Sequence, residues 1–252
     1  MTPPAARRLS TTALVGWVLA GAVATSGFVA LGAWQVQRRT LKLALIEQVE
    51  TRVHAAPVAP PARADWPQVS AARDAYRHVV VRGRFEHDRE TFVQAATSLG
   101  AGSWLITPLR QADGSAVLVN RGFVPPDRRD PATRNDPVVA AGGEGEGSGL
   151  LRVSEPGGGF LRDNDPAAGK WYSRDVAAIA AARQLGPTAP YFIDQDAPAG
   201  GRAEGRWPVG GLTVVSFPNN HLQYALTWFA LAGMVAAGTA YLVVTERRRT
   251  MA

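Results

Sequence analysis

"LQYALTWFALAGMVAAGTAYLVV", from Leu222 to Val244, decides the fold. It carries no charge, and no charged residue stands between Arg206 and Glu246. A helix crossing a bilayer needs about 20 consecutive, mainly apolar residues, so the stretch predicts a transmembrane helix over 222–244. Working outward, a second uncharged run, "ALVGWVLAGAVATSGFVALGAW", covers Ala13 to Trp34. The hydrophobic region of a secretory signal is shorter, about 7–15 residues, and ends in a small-residue cleavage site. This run is longer, has no A-x-A at its end, and is followed by Arg38, Arg39 and Lys42. The expectation is an uncleaved helix over 13–34.

The charge distribution orients the two helices. Arg247, Arg248 and Arg249 follow the second span, and no Lys or Arg lies close before it, which places the C-terminus in the cytoplasm. Two spans then put the N-terminus (1–12, with Arg7 and Arg8) on the same side. The basic cluster after the first span argues the other way and is outweighed by the cleaner C-terminal asymmetry. The expected setting is a bacterial inner (plasma) membrane, with both termini cytoplasmic and the central domain periplasmic. A pI near 10.3 and a net charge of +6 would ordinarily raise nucleic acid as a partner. However, residues 1–42 carry +5, residues 245–252 carry +2, and residues 43–244 carry −1. The excess sits at the membrane flanks, so nucleic acid is excluded. The absence of cysteine excludes zinc-finger, thiol-redox and thiolate-copper chemistry and leaves an exported domain to fold on its core alone.

Between the spans the pattern changes period. "QVQRRTLKLALIEQVETRVH" places Leu41, Leu45 and Val49 four apart, predicting that the first helix continues as an amphipathic stalk over 35–56. Four prolines in "AAPVAPPARADWP" then read as an extended linker. The domain over 57–217 reads as β-rich. Tyr76–His87 and Glu90–Ala96 are strand-like, and Ser103–Pro125 is a hairpin turning at Asp113-Gly114. Strands are also expected at Gly149–Pro156, Pro190–Asp196 and Leu212–Phe217. "AAGGEGEGSG" (Ala140–Gly149) reads as an exposed flexible loop. One helix, "SRDVAAIAAARQLG", is capped by Ser173 or Asp175 and stopped at Gly186-Pro187. The class is therefore α+β: two transmembrane helices bracketing a mostly antiparallel β domain with one short helix, and a basic tail at 245–252.

No nucleophile elbow, phosphate-binding loop or metalloprotease pattern is present. "RDNDP" (Arg162–Pro166) suits a cation or an Asx-Pro turn equally well. His54, His78 and His87 share no spacing and read as surface or satisfied histidines. His221 stands apart, at the threshold of the second span. With a helix beginning near Asn220, His221, Tyr224, Ala225 and Trp228 fall on one face. That face offers an imidazole, aromatic walls and a small residue between them, which suits axial ligation of a haem iron. It also suits an interfacial anchor in an aromatic belt, the commoner role of a histidine at a membrane interface. Gly16, Ala20 and Ala24 on the first span, and Gly233 and Ala237 on the second, are small residues spaced for close helix approach.

Five stretches taken in order resemble the Surfeit locus protein 1 family: "LGAWQVQRRTLKLALI" (Leu31–Ile46), "YRHVVVRGRF" (Tyr76–Phe85), "TPLRQADGSAVLVNRGFVP" (Thr107–Pro125), "NDPAAGKWYSRD" (Asn164–Asp175) and "NNHLQYALTWFALA" (Asn219–Ala232). The resemblance spans nearly the whole chain and includes the two-helix topology. It implies an assembly factor for haem-copper cytochrome c oxidase that helps insert haem a into the large subunit of the oxidase, with the haem a synthesis machinery as a further partner. It also implies haem binding through His221 as axial ligand. Tyr224 and Trp228 join it as cofactor-contacting residues on helical geometry alone. On this reading the protein is a chaperone and not an enzyme. The alternatives are a structural oxidase-assembly scaffold that binds no haem, and a two-span sensor whose outer domain binds a solute.

Overall fold

The computed structural model describes residues 9–251 except 160, 199, 202–204 and 216, and not the side chain of 250. The chain divides into two compact units, one of residues 1–47 with 216–252 and the other of residues 48–215. In chain order the elements are α1 (Thr11–Val53), α2 (Ala71–Asp74), β1 (His78–Phe85), β2 (Thr91–Thr97), β3 (Gly100–Arg110) and β4 (Ala116–Val124). They continue with α3 (Pro137–Ala140), β5 (Glu144–Val153), β6 (Gly158–Gly159), β7 (Arg162–Asp163), α4 (Val176–Ala182), β8 (Thr188–Gln195) and α5 (His221–Met251).

The first unit pairs α1 with α5. Both are long and apolar enough to cross a membrane, and their apolar windows are 0% and 6% buried. Apolar side chains left this bare in water would be costly, and the two helices fit a two-span membrane protein. Along the covered face of α1 run Leu14, Val18, Gly21, Thr25, Phe28, Gly32 and Gln35, with Ala13 and Ala24 half-buried beside them. On α5 the corresponding run is His221, Ala225, Trp228, Ala232, Val235, Thr239, Leu242 and Glu246, flanked by the half-buried Leu231, Val243 and Thr245. Both alternate steps of four and three, the 3.5-residue repeat that keeps one seam facing its partner in a left-handed pair. The helices run antiparallel, with Gly21 against Thr239, Gly32 against Phe229 and Phe28 against Trp228. A Cβ on Gly21 would stand 2.2 Å from Thr239 Oγ1, and one on Gly32 2.6 Å from the Phe229 ring. The close approach is therefore made there, while Gly16 and Gly233, expected to make it, face open space.

The second unit is an α+β domain around a small closed sheet. The strand order β1-β5-β8-β4-β3-β2 is completed by a short β1–β3 pairing, Arg84 with Arg110 and Phe85 with Leu109. Strands β1, β5, β8, β4 and β3 thus form a ring, and β2 lies along the rest of the β3 edge that β1 closes on. All pairings are antiparallel except β4 with β8. A barrel this small has its interior filled by side chains. Here they are Val79, Val81, Phe85, Leu109, Val117, Val119, Leu151, Ala189, Tyr191 and Ile193. A second cluster, outside the ring, packs α4 and Trp171 against Val93, Ile106, Leu118 and Phe192. Strand β4 feeds both, Val117 and Val119 inward and Ala116 and Leu118 outward, and is buried along its whole length.

Several expectations are corrected. "EGEGSG" is not a loop but the first half of β5, paired to β1 along its length. Its glycines alternate because they face a crowded interior: a Cβ on Gly147 would meet Val119 and Val81 at 3.2–3.3 Å, and one on Gly145 would meet Phe85 at 3.1 Å. Of the expected strand Leu212–Phe217, residues 212–215 make no ladder, Val214 is exposed and residue 216 lies outside the described residues. The hairpin turn is a type I turn closed by Gly114 at φ +78°, with Gln111 accepting from the Gly114 N–H; Asp113 itself keeps a negative φ. The proline stretch is tied down, not free: Val58 bridges to Val79, Pro61 accepts from the Tyr191 hydroxyl, and Trp66 packs on the barrel core. The first helix does continue past the apolar run, but Leu41 and Leu45 are exposed. Steps of four drift about 40° around a helix each time, and the covered residues follow steps of three and four, Arg39, Lys42, Ile46 and Val49. Asp175 caps α4, accepting from the Ala178 N–H at 3.1 Å.

Candidate functional site

Helix α5 starts where the chain leaves Pro218: Asn219 Oδ1 accepts from the His221 N–H at 3.4 Å in an Asx-type turn, and the first helical bond runs from Tyr224 N–H to the Asn220 carbonyl. His221 is the first helical residue and lies on the covered face. Across the seam, His221 Nδ1 lies 2.7 Å from Gln35 Oε1. As placed, the amide oxygen accepts, so Nδ1 carries the proton and Nε2 keeps its electron pair. No hydrogen bond to Nε2 is formed among the described residues. Two turns along, Trp228 stacks on Phe28 with ring centroids 5.7 Å apart. Between them Ala225 is buried at 2% exposure. Tyr224 is not on this face; it is 55% exposed. The reason is again the 3.5-residue seam, which keeps i+4 and i+7 and rotates i+3 outward. On the other side of Gln35, the Lys42 ammonium lies 5.2 Å from the centre of the Phe217 ring.

The remaining histidines are engaged elsewhere. His54 Nδ1 meets the Glu50 carbonyl, His78 sits between the Ala55 carbonyl and Asp196, and His87 Nδ1 is 2.9 Å from Glu90. In "RDNDP", Asn164 Oδ1 accepts from the Tyr172 and Ser173 N–H groups, and Asp165 Oδ1 accepts from Ala168 N–H. This is turn chemistry. Among the described residues no three His, Cys, Asp or Glu side chains are grouped to hold a metal ion.

The sheet domain carries its own polar clusters. Arg121 donates twice to Asp136, at 2.5 and 2.9 Å, with both side chains buried. Burial alone would raise the Asp136 carboxyl; the Arg121 hydrogen bonds and charge outweigh it and hold it below the usual carboxylate range. Asp194 accepts from Asn120, Arg152 and Arg174. Burial would lower the Arg174 guanidinium, but its hydrogen bonds to Glu155 and Asp194 and the charges of both carboxylates outweigh this and raise it. This second cluster lines a recess of about 540 Å³ together with Trp104 and Leu212–Val214. Its charges are already spent on one another.

Residues 22–233 match the sequence profile of the SURF1 family, a span that holds both Gln35 and His221 and the whole sheet domain. The chain belongs to the SURF1 family. Relatives include Surfeit locus protein 1 of Rattus norvegicus, 38% identical over 84% of this chain and 69% of its own length. Those of Xenopus tropicalis and Homo sapiens are 36% and 37% identical, over 95% and 84% of this chain and 77% and 71% of theirs. SURF1 membership implies a role in cytochrome oxidase assembly.

For this SURF1 protein the donor set fits a haem iron as far as one ligand goes: a neutral imidazole with a free nitrogen, its other nitrogen hydrogen-bonded, beside an apolar surface. Trp228 does not wall a slot between the helices, because the Phe28–Trp228 stack fills that space. Gln35 and Phe28 were missed by sequence reasoning. Their signal was present: Gln35 is the first polar side chain after the apolar run, seven residues beyond Phe28 on the same seam.

Proposed function

We propose that this SURF1-family protein carries haem a on His221 and aids its insertion into the large subunit of cytochrome c oxidase. The observation that carries the reading is the His221–Gln35 pair, which leaves one imidazole nitrogen free at the mouth of a membrane-spanning helix. A single imidazole with apolar contacts holds its cargo loosely enough to release it, as a carrier must, and the chain acts as a chaperone without catalysing a reaction. Haem a synthesis machinery is the natural donor. The setting is a bacterial inner membrane with both termini cytoplasmic, which the Arg247–Arg249 cluster supports. The sheet domain then lies on the periplasmic side, available to dock on the outer face of the oxidase subunit.

The test is an optical spectrum of the detergent-purified protein after co-expression with haem a synthesis, beside the His221→Ala variant. A Soret band in the first and not in the second is expected. A stoichiometric band retained by the variant sinks the ligand assignment. A scaffold that binds no haem is the second reading, favoured by the Phe28–Trp228 stack, and absence of a band in both folded proteins would establish it.

A further inference from the structure

We propose that Gln35 is a positioning residue that holds His221 in the Nδ1-protonated tautomer and so presents Nε2 as the iron ligand; the inference rests on the haem-carrying reading above. Three observations carry it. The contact is short, 2.7 Å, and joins residues 186 apart in the chain, so the packing of the helix pair makes it and local geometry does not. Both residues sit on the seam and are half-buried, which restricts competition from water. The ring has no other hydrogen-bond partner among the described residues, so nothing but Gln35 selects which nitrogen carries the proton. A neutral imidazole ligates through its unprotonated nitrogen, and metal-bound histidines nearly always donate the other N–H to an acceptor that fixes the ring and raises its basicity. Gln35 Oε1 is that acceptor. The reversed amide, donating to Nδ1, would put the proton on Nε2 and block ligation there, so the two orientations make opposite predictions.

The first measurement needs no haem. Full-length protein labelled with ¹⁵N-histidine in detergent, at about pH 8.5 where imidazole is neutral, reports the tautomer of each ring, with His221→Ala assigning the signal. The wild type shows Nδ1 protonated at His221, Gln35→Leu loses that preference, and Gln35→Glu keeps it. A wild-type ring protonated on Nε2, or one unchanged in Gln35→Leu, overturns the proposal. The second measurement is haemin titration of the same variants. Gln35→Leu weakens binding by about 10–100-fold, and Gln35→Glu restores it and lowers the reduction potential of the bound iron relative to wild type. A merely structural role would move neither the tautomer nor the potential. Haemin affinity unchanged in Gln35→Leu but lost in His221→Ala refutes the role of Gln35 and leaves the haem reading standing. Equal affinity of wild type and His221→Ala refutes the haem reading itself, and the tautomer measurement then decides the Gln35 contact alone.

Discussion

Replacing Arg134 by Met isolates a fully buried charge of the sheet domain. Arg134 has no solvent exposure. Its Nε donates to the Arg128 carbonyl at 2.9 Å, and a second guanidinium nitrogen donates to the Arg129 carbonyl. Its Nη1 stands 2.8 Å from Glu90 Oε2 as an ion pair, though without hydrogen-bond alignment. Glu90 is itself buried, with His87 as its other neighbour. Arg134→Met fills much of the volume but strands the Glu90 carboxylate, and breaking a buried pair from one side costs about 3–5 kcal/mol. Against a domain stability of about 5–15 kcal/mol that is a large share. Adding Glu90→Gln removes the stranded charge, so the double variant should lose less than the two single losses together, with a coupling of about 0.5–3 kcal/mol. The remaining loss reflects the Arg128 and Arg129 carbonyls left without their donor. Urea unfolding of the full chain in detergent, followed by fluorescence of Trp66, Trp104, Trp171 and Trp207, measures all three variants. A loss under about 1 kcal/mol in Arg134→Met, or strict additivity in the double variant, would refute the reasoning.

Two further outcomes follow from the same domain. Asp136 and Asp74 both have folded carboxyls below their ordinary range: burial pushes each up, but Arg121 in one case, and the Ser70 N–H with Arg77 and Arg73 in the other, more than offset it. A depressed folded pKa contributes stability that is present above the unfolded value, near 3.9, and is lost as pH falls through the folded value. The urea midpoint should thus be level from neutrality to about pH 5 and fall below about pH 4; Asp136→Asn should flatten that fall, and an unchanged acid limb would show that Asp136 is not responsible. At Gly122, φ is +123° and a Cβ would stand 2.0 Å from the Val209 carbonyl, so Gly122→Ala should cost about 2–5 kcal/mol from backbone strain and overlap together. Gly142→Ala, at φ +75° with open space around it, bears only the strain and should cost about 1 kcal/mol; equal costs would mean that Val209 does not press on β4.

What could be read from the sequence divides by the distance over which the pattern acts. The apolar runs, the Asp113-Gly114 hairpin and the Asp175 cap are local, because each is fixed by residues within one turn or one strand pair, and each is present. The alternation of glycine and polar residues in "EGEGSG" is also local, but it signals a strand only if the inward face is too crowded for a Cβ, and that crowding comes from Val81, Val119 and Phe85 on other strands. Closure of the ring by Arg84–Arg110 and Phe85–Leu109 depends on the curvature of five strands and leaves no mark at either pair. At the candidate site the same limit takes a more instructive form. An i, i+3, i+4, i+7 reading of α5 joined Tyr224 to His221, because it treated the helix as alone, with 3.6 residues per turn. Two helices packed along their length impose 3.5, and that repeat is written in both: Phe28, Gly32 and Gln35 on one, His221, Ala225 and Trp228 on the other. Laid antiparallel so that the small residues Gly32 and Ala225 fall at the same level, these runs bring Phe28 to Trp228 and Gln35 to His221. The partner of His221 was therefore encoded in the chain, in the agreement between two distant periods, and not in either segment read by itself.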